Sequence, residues 1–312
     1  MGGSDVKVSI ITKIGGDIIG DLIMNKLESD GINTDRVARG DKSQTSGFSY
    51  IIVNTSTQSR TCIHTPASSY LQSSEVEANF IKDCSIVFSD GRFPGVVLNL
   101  LRQHKVMFYL ECERLLQNDS LLDLVPFADF ILTSSNFPLQ YHEHLQKQNK
   151  FSYDCLFHLF DKMKGGDHSH LITTLGSRGS VCITRCDDGS DPADDMSIDE
   201  VIALEDDGVA SELPNLRLFN IKYCKKSYTI IRCGIWKTHP FEIKDTTGAG
   251  DTFNGACLYW LTRSSSQSKL RSLGGMMQFA SIMSFYCASE IGVRKGVANN
   301  HVVKQVIKNI LN

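Results

Sequence analysis

The sequence predicts an α/β fold with a mostly parallel central sheet flanked by helices, on three observations. Short, continuous apolar runs recur at 85–89, 106–110, 130–132 and 170–174, the pattern of strands buried on both faces. Helix-like stretches lie between them, at 94–104, 120–127 and, in one or two pieces, 138–163, and strand–helix alternation is the signature of a covered parallel sheet. The chain has 312 residues, 41% of them hydrophobic, ample for a large core.

The elements follow in order. Residues 6–14 read as a strand, and Gly15-Gly16 leads into a helix whose Ile18, Ile19, Leu22, Ile23 and Leu27 form one stripe. Asp30-Gly31 supplies its stop. Runs at 47–54 and 59–65 flank a polar turn and predict a hairpin. After the four parallel strands, 180–185 reads as a further strand and 241–244 as a strand end. Helices are expected near 249–262, 269–291 and 300–311.

Composition narrows the function. Lys and Arg number 32 against 35 Asp and Glu, a formal charge of −3, which makes no global case for nucleic acid or an anionic membrane. No apolar run approaches the roughly 18 residues of a membrane span, and the first residues lack the basic and apolar regions of a signal peptide; a cytoplasmic location is the expectation. Eleven of the acidic residues fall in 187–212, which contains no Lys or Arg. That block reads as a solvated surface insertion between two strands, and the remainder carries 24 acidic against 32 basic residues. The ten cysteines include no C-x-x-C pair, so free thiols are expected rather than a zinc site. The pairs His142/His144 and His168/His170 lack further ligands nearby and read as solvated.

The chemistry concentrates in Asp245-Thr-Thr-Gly-Ala-Gly-Asp-Thr-Phe-Asn-Gly-Ala256. Gly248, Ala249 and Gly250 stand where an apolar helix begins. First-turn amides lack intrahelical acceptors, and small residues let a phosphate approach them. Asp251 follows in the first turn, placed to take a proton from an attacking alcohol. An electropositive cradle plus a base is the equipment of phosphoryl transfer. A P-loop is absent, and Phe253 stands where a dinucleotide fingerprint needs its third glycine.

This segment resembles the D-T-x-G-A-G-D signature of the ribokinase-like (PfkB) carbohydrate kinases, and Thr174-Leu-Gly-Ser-Arg-Gly179 is similar to their nucleotide loop. The resemblance implies a three-layer sandwich and ATP-dependent phosphorylation of a small sugar or polyol, with Mg2+. It implies Asp251 as catalytic base, Gly248, Ala249 and Gly250 as anion hole, and Thr174, Gly176 and Gly179 at ATP. Arg92, in an Asp-Gly-Arg like that of ketohexokinase-like members, would meet phosphate or sugar. A monovalent cation such as K+ would sit at Asp245, Thr247, Ile291, Arg294 and Gly296. The family's N-x-x-E is not kept, because no glutamate follows Asn136 at that spacing. By the same comparison the chain starts past the family's first strand and G-G-N segment, leaving the small β lid incomplete; pairing into a homodimer through that lid is left open. Two other readings stand beside the sugar kinase: a nucleotide-binding isoform or paralogue without turnover, acting as a regulator or partner, and a nucleoside kinase of the same superfamily.

Overall fold

A computed structural model describes residues 6–54, 59–115, 120–145, 150–165, 169–186, 194–205, 211–263 and 273–311. The chain divides into two compact units, Met1–Cys84 with Gly95–Lys105, and Ser85–Pro94 with Val106–Asn312.

In the first unit, strand β1 (Thr12–Ile14) runs into helix α1 (Ile18–Ser29) and then β2 (Val37–Arg39), which pairs parallel with β1. Asp17 caps α1: its Oδ1 accepts from Gly20 N at 2.9 Å and from Ser46 Oγ at 2.8 Å. These donors, led by the Gly20 amide, hold its carboxyl below the usual range. Gly15 and Gly16 are required at this crossing, since a Cβ on either would lie 2.4 Å from Ser46 N or 2.3 Å from Asp41 O. The expected strand over 6–14 shortens to three residues because β2 offers only three partners; upstream, Ser9 makes a lone bridge to Asn33. Strands β3 (Phe48–Asn54) and β4 (Ser59–Thr65) form the expected antiparallel hairpin.

The second unit carries β5 (Ile86–Ser89), β6 (Met107–Cys112) and β7 (Phe130–Thr133), while helix α2 (Pro94–Leu101), between β5 and β6 in the chain, belongs from Gly95 onward to the first unit. Helix α2 was expected to reach His104 but stops at Leu101; the His104 ring bonds Ala78 O at 2.6 Å and takes the chain out of the helix. A 3-10 stretch, Ser120–Phe127, precedes β7. Next come α3 (Phe137–His144), α4 (Cys155–Asp161), β8 (His170–Thr174), β9 (Ser180–Arg185), α5 (Ile198–Ala203), β10 (Leu216–Tyr223), β11 (Lys226–Cys233), α6 (Ala249–Arg263), α7 (Leu273–Ala288) and α8 (Asn300–Leu311).

Seven strands form one sheet in the order β10-β11-β9-β8-β7-β6-β5. Strands β5 to β8 pair in parallel, while β9 and β10 run opposite to the other five. Register and burial explain the apolar runs. The cross-strand row Leu132, Ile172, Cys182, Ile231 packs into a cluster with Trp260, Met277 and Phe279 from α6 and α7. The alternate row Ile131, Leu171, Ile183, Ile230 points the other way and is completely buried, on the face where α4 meets β8 and α5 meets β11. Both faces are therefore covered, as continuous apolar strands require. This is an α/β fold with a large, mostly parallel central sheet flanked by helices. No helix among the described residues is long and apolar enough to cross a membrane.

Three expectations change. The described part of 187–212 is not simply solvated loop: Ser197 and Glu200 close a capping box on α5, and Ile198, Val201 and Ile202 are buried. Three apolar residues spaced for one helix face override the acidic composition. Residues 187–193 and 206–210 lie outside the described residues. Residues 241–244 form no strand, because the backbone N–H groups of Lys244 and Asp245 both bond Ala288 O at the end of α7 instead of a sheet neighbour. His142 is buried against Phe151 rather than solvated, while His144 is exposed and His168 lies outside the described residues. All ten cysteines are free.

Candidate active site

The carboxyl ends of β5, β6, β7 and β8 lie side by side, the edge at which open α/β sheets bind ligands. Asp90 follows β5, Glu111 nearly ends β6, and Thr174 ends β8.

Helix α6 begins on the glycine-rich segment. Gly248 takes φ +79°, and a Cβ there would lie 2.3 Å from Val293 Cγ1, so only glycine fits. Its carbonyl accepts Thr252 N at 2.8 Å, the first turn of the helix. The Ala249 N–H donates to Thr246 O at 3.2 Å and closes the turn. The first-turn amides of Gly250 and Asp251 have no acceptor within the helix. Both residues are exposed, so an incoming anion can reach them. Ser284 Oγ donates to Ala249 O at 3.0 Å and ties this turn to α7.

Asp245 is buried and braces the segment. Its Oδ1 accepts from Thr247 N at 2.9 Å and Thr247 Oγ1 at 2.6 Å, and its Oδ2 accepts from Gly292 N at 3.0 Å. The residues expected to hold a monovalent cation are thus drawn partly together, with Asp245 and Thr247 tied to the segment that carries Ile291 and Gly292. The carboxylate, however, already receives three donors, and Ile291 and Arg294 are exposed.

The second motif lies in the β8–β9 turn. Gly176 (φ +61°) and Gly179 (φ +83°) shape it, and a Cβ on Gly179 would sit 2.1 Å from Cys233 O. Leu175 N donates to Gly179 O at 2.7 Å. The motif is therefore a hairpin turn and a sheet-edge loop at once. Arg232, buried at 4% exposure, donates from Nη1 to Arg178 O at 2.6 Å and from Nη2 to Leu204 O at 3.0 Å. Sequence reasoning missed Arg232, because an arginine in an apolar strand announces no role until the turn it supports is seen.

Arg92 is exposed and stays local: its N–H donates to Asp90 Oδ1 at 3.1 Å and its Nε lies 3.4 Å from Asp90 Oδ2. Glu111 was also missed. Asn254 Nδ2 donates to its Oε1 at 2.8 Å. Burial, then the charges of Asp251 and Glu113, raise its carboxyl to about 7. The signal available in sequence was Glu111-Cys-Glu113 closing an apolar strand, an acidic pair at a sheet's carboxyl edge. Among the described residues no three His, Cys, Asp or Glu side chains gather as a metal cluster.

A family profile for "pfkB family carbohydrate kinase" matches residues 1–194, so the 245–251 segment lies beyond the match and stands on its own geometry. No curated protein matches the sequence. Among solved structures, the chain is similar to ribokinase from Thermotoga maritima (14% identity, 96% of this chain and 81% of that one, TM-score 0.65). It is similar also to fructokinase with bound ATP from Xylella fastidiosa (12%, 98% and 86%, 0.67). A nucleoside kinase from Methanocaldococcus jannaschii is a third (13%, 98% and 82%, 0.62). At such identities these likenesses speak for the fold, whereas the profile covers well over half of the sequence: the chain belongs to the pfkB family of carbohydrate kinases.

Proposed function

We propose that this protein transfers the terminal phosphoryl group of ATP to a hydroxyl of a small sugar or polyol. The observation that carries this reading is the start of α6, where an exposed carboxylate, Asp251, shares one turn with open amides beside a positive-φ glycine. The amides of Gly248, Gly250 and Asp251 stabilise charge on the moving group, and the helix N-terminus adds its dipole. Asp251 accepts the proton of the attacking hydroxyl. Ala249 serves by keeping the turn shut rather than by donating to the anion. ATP lies along the Thr174–Gly179 turn, which Gly179 and Arg232 hold against β11.

Magnesium accompanies ATP and neutralises its phosphates when bound. The described residues present no carboxylate cluster that fits a protein-caged ion, so no step is assigned to it. Nor is a step assigned to K+, since the Asp245 oxygens already hold protein donors.

Acceptor-dependent ADP release across a panel of sugars, polyols and nucleosides tests the reading. Turnover with a sugar or polyol supports it; turnover with nucleosides alone moves the acceptor class. The lost N-x-x-E glutamate favours a second reading, a nucleotide-binding protein without turnover. Nucleotide binding with no ADP release for any acceptor would establish that one instead.

A further inference from the structure

Asn254 and Glu111 form a pair that the transfer chemistry leaves unexplained. Asn254 sits one turn after Asp251 on α6 and is 2% exposed. Its Nδ2 donates to Glu111 Oε1, but its Oδ1 is buried with no donor among the described residues. An ionised carboxylate has no proton to offer that oxygen, and a buried acceptor left without a donor is costly. The neighbouring charges that act on Glu111 are acidic: Asp251 on α6, Glu113 just past β6 and Asp90 after β5. The Arg92 guanidinium pairs with Asp90 rather than with Glu111.

We propose that Glu111 carries a proton in the resting protein and donates it to Asn254 Oδ1, closing a two-hydrogen-bond acid–amide ring that positions the start of α6. In the ring, Asn254 Nδ2–H bonds Oε1 and the acid O–H bonds Oδ1, so the buried amide and the half-buried acid are both satisfied. When Glu111 ionises its proton leaves to solvent and the ring opens on one side. A second negative charge then stands near Asp251, where a phosphate must approach. Glu111 is thus a positioning residue, and its ionisation weakens ATP binding. The burial and charges that raise its carboxyl to about 7 put this change within reach of ordinary pH. Only the kinetic consequence rests on the phosphoryl-transfer reading; the ring does not.

Difference infrared spectroscopy of the full chain, titrated from about pH 5.5 to about pH 8.5, reads the proton directly. Wild type should show a buried carboxylic-acid carbonyl band that fades around neutrality, and Glu111→Gln should lack it. Glutamine can close the same ring through its amide, so the variant should keep the wild-type circular dichroism spectrum. Across the same range the KM for ATP should rise about fivefold in wild type, the scale of one screened charge, and stay flat in Glu111→Gln. No acid band in wild type at the low end, or the same band in Glu111→Gln, overturns the proposal. So does an equal rise of KM in both proteins. A band that behaves as described in a protein with no ATP turnover upholds the ring and defeats the kinase reading alone.

Discussion

At the scale of single residues, the site depends on backbone conformations that only certain side chains permit. Gly248 holds φ +79° with Val293 against the place a Cβ would take. Gly248→Ala should therefore cost about 1–3 kcal/mol, seen as a lower melting temperature, and should reduce phosphoryl transfer by disturbing the amides of the turn. Asp245 acts through its hydrogen bonds to Thr247 and Gly292. Asp245→Ala leaves those donors without their acceptor, and a loss of about 1–3 kcal/mol is expected in denaturant unfolding. The helix start was legible in the sequence, since small residues just before an apolar helix and a first-turn aspartate mark it. Asp245, expected only as a cation ligand, was not legible as a brace. Nor were Glu111 and Arg232 legible, because their roles depend on partners 143 and 54 residues away in the chain.

At the scale of elements, the parallel strands were legible because burial on both faces leaves them no polar positions, and the row Ile131, Leu171, Ile183, Ile230 shows the reason. Elements decided by long-range pairing were not. Residues 6–14 have strand composition, but β2 supplies three partners; 241–244 has strand composition too, but Ala288 O takes its amides. In α5 the acidic count obscured three apolar residues that bury. Val201→Asp should consequently unfold or strongly destabilise the second unit, by about 3 kcal/mol or more, whereas Glu205→Gln nearby should leave melting unchanged. The β8–β9 turn makes a parallel case. Arg232→Met keeps the stem but removes the donors to Arg178 O and Leu204 O. Weaker ATP binding at nearly unchanged secondary structure is the expected result, measured by calorimetry and circular dichroism.

At the scale of the whole molecule, charge and pH bear on stability with opposite signs at two carboxyls. Burial pushes Asp161 upward, but Lys226, Tyr228 and Arg185 more than offset it and hold it below the usual range. A lowered folded value means stability present above the unfolded value of about 3.9 and lost as pH falls through the folded one. Glu111 is the reverse. Its folded value of about 7 exceeds the unfolded value of about 4.3, so its contribution is intact below the latter and lost as pH rises to the former. The melting temperature of Glu111→Gln relative to wild type should accordingly climb between about pH 5 and about pH 8. The Asp161 cluster lies at the amino edge of the parallel strands, away from the proposed site at their carboxyl edge, and the most direct test of that site is the acceptor-dependent ADP release of wild type beside Asp251→Asn. Asp251 is exposed, so the variant should fold as wild type does. Sugar- or polyol-dependent turnover in wild type, reduced about 10²- to 10⁴-fold in Asp251→Asn, is the predicted result; near-normal turnover in the variant would contradict the account.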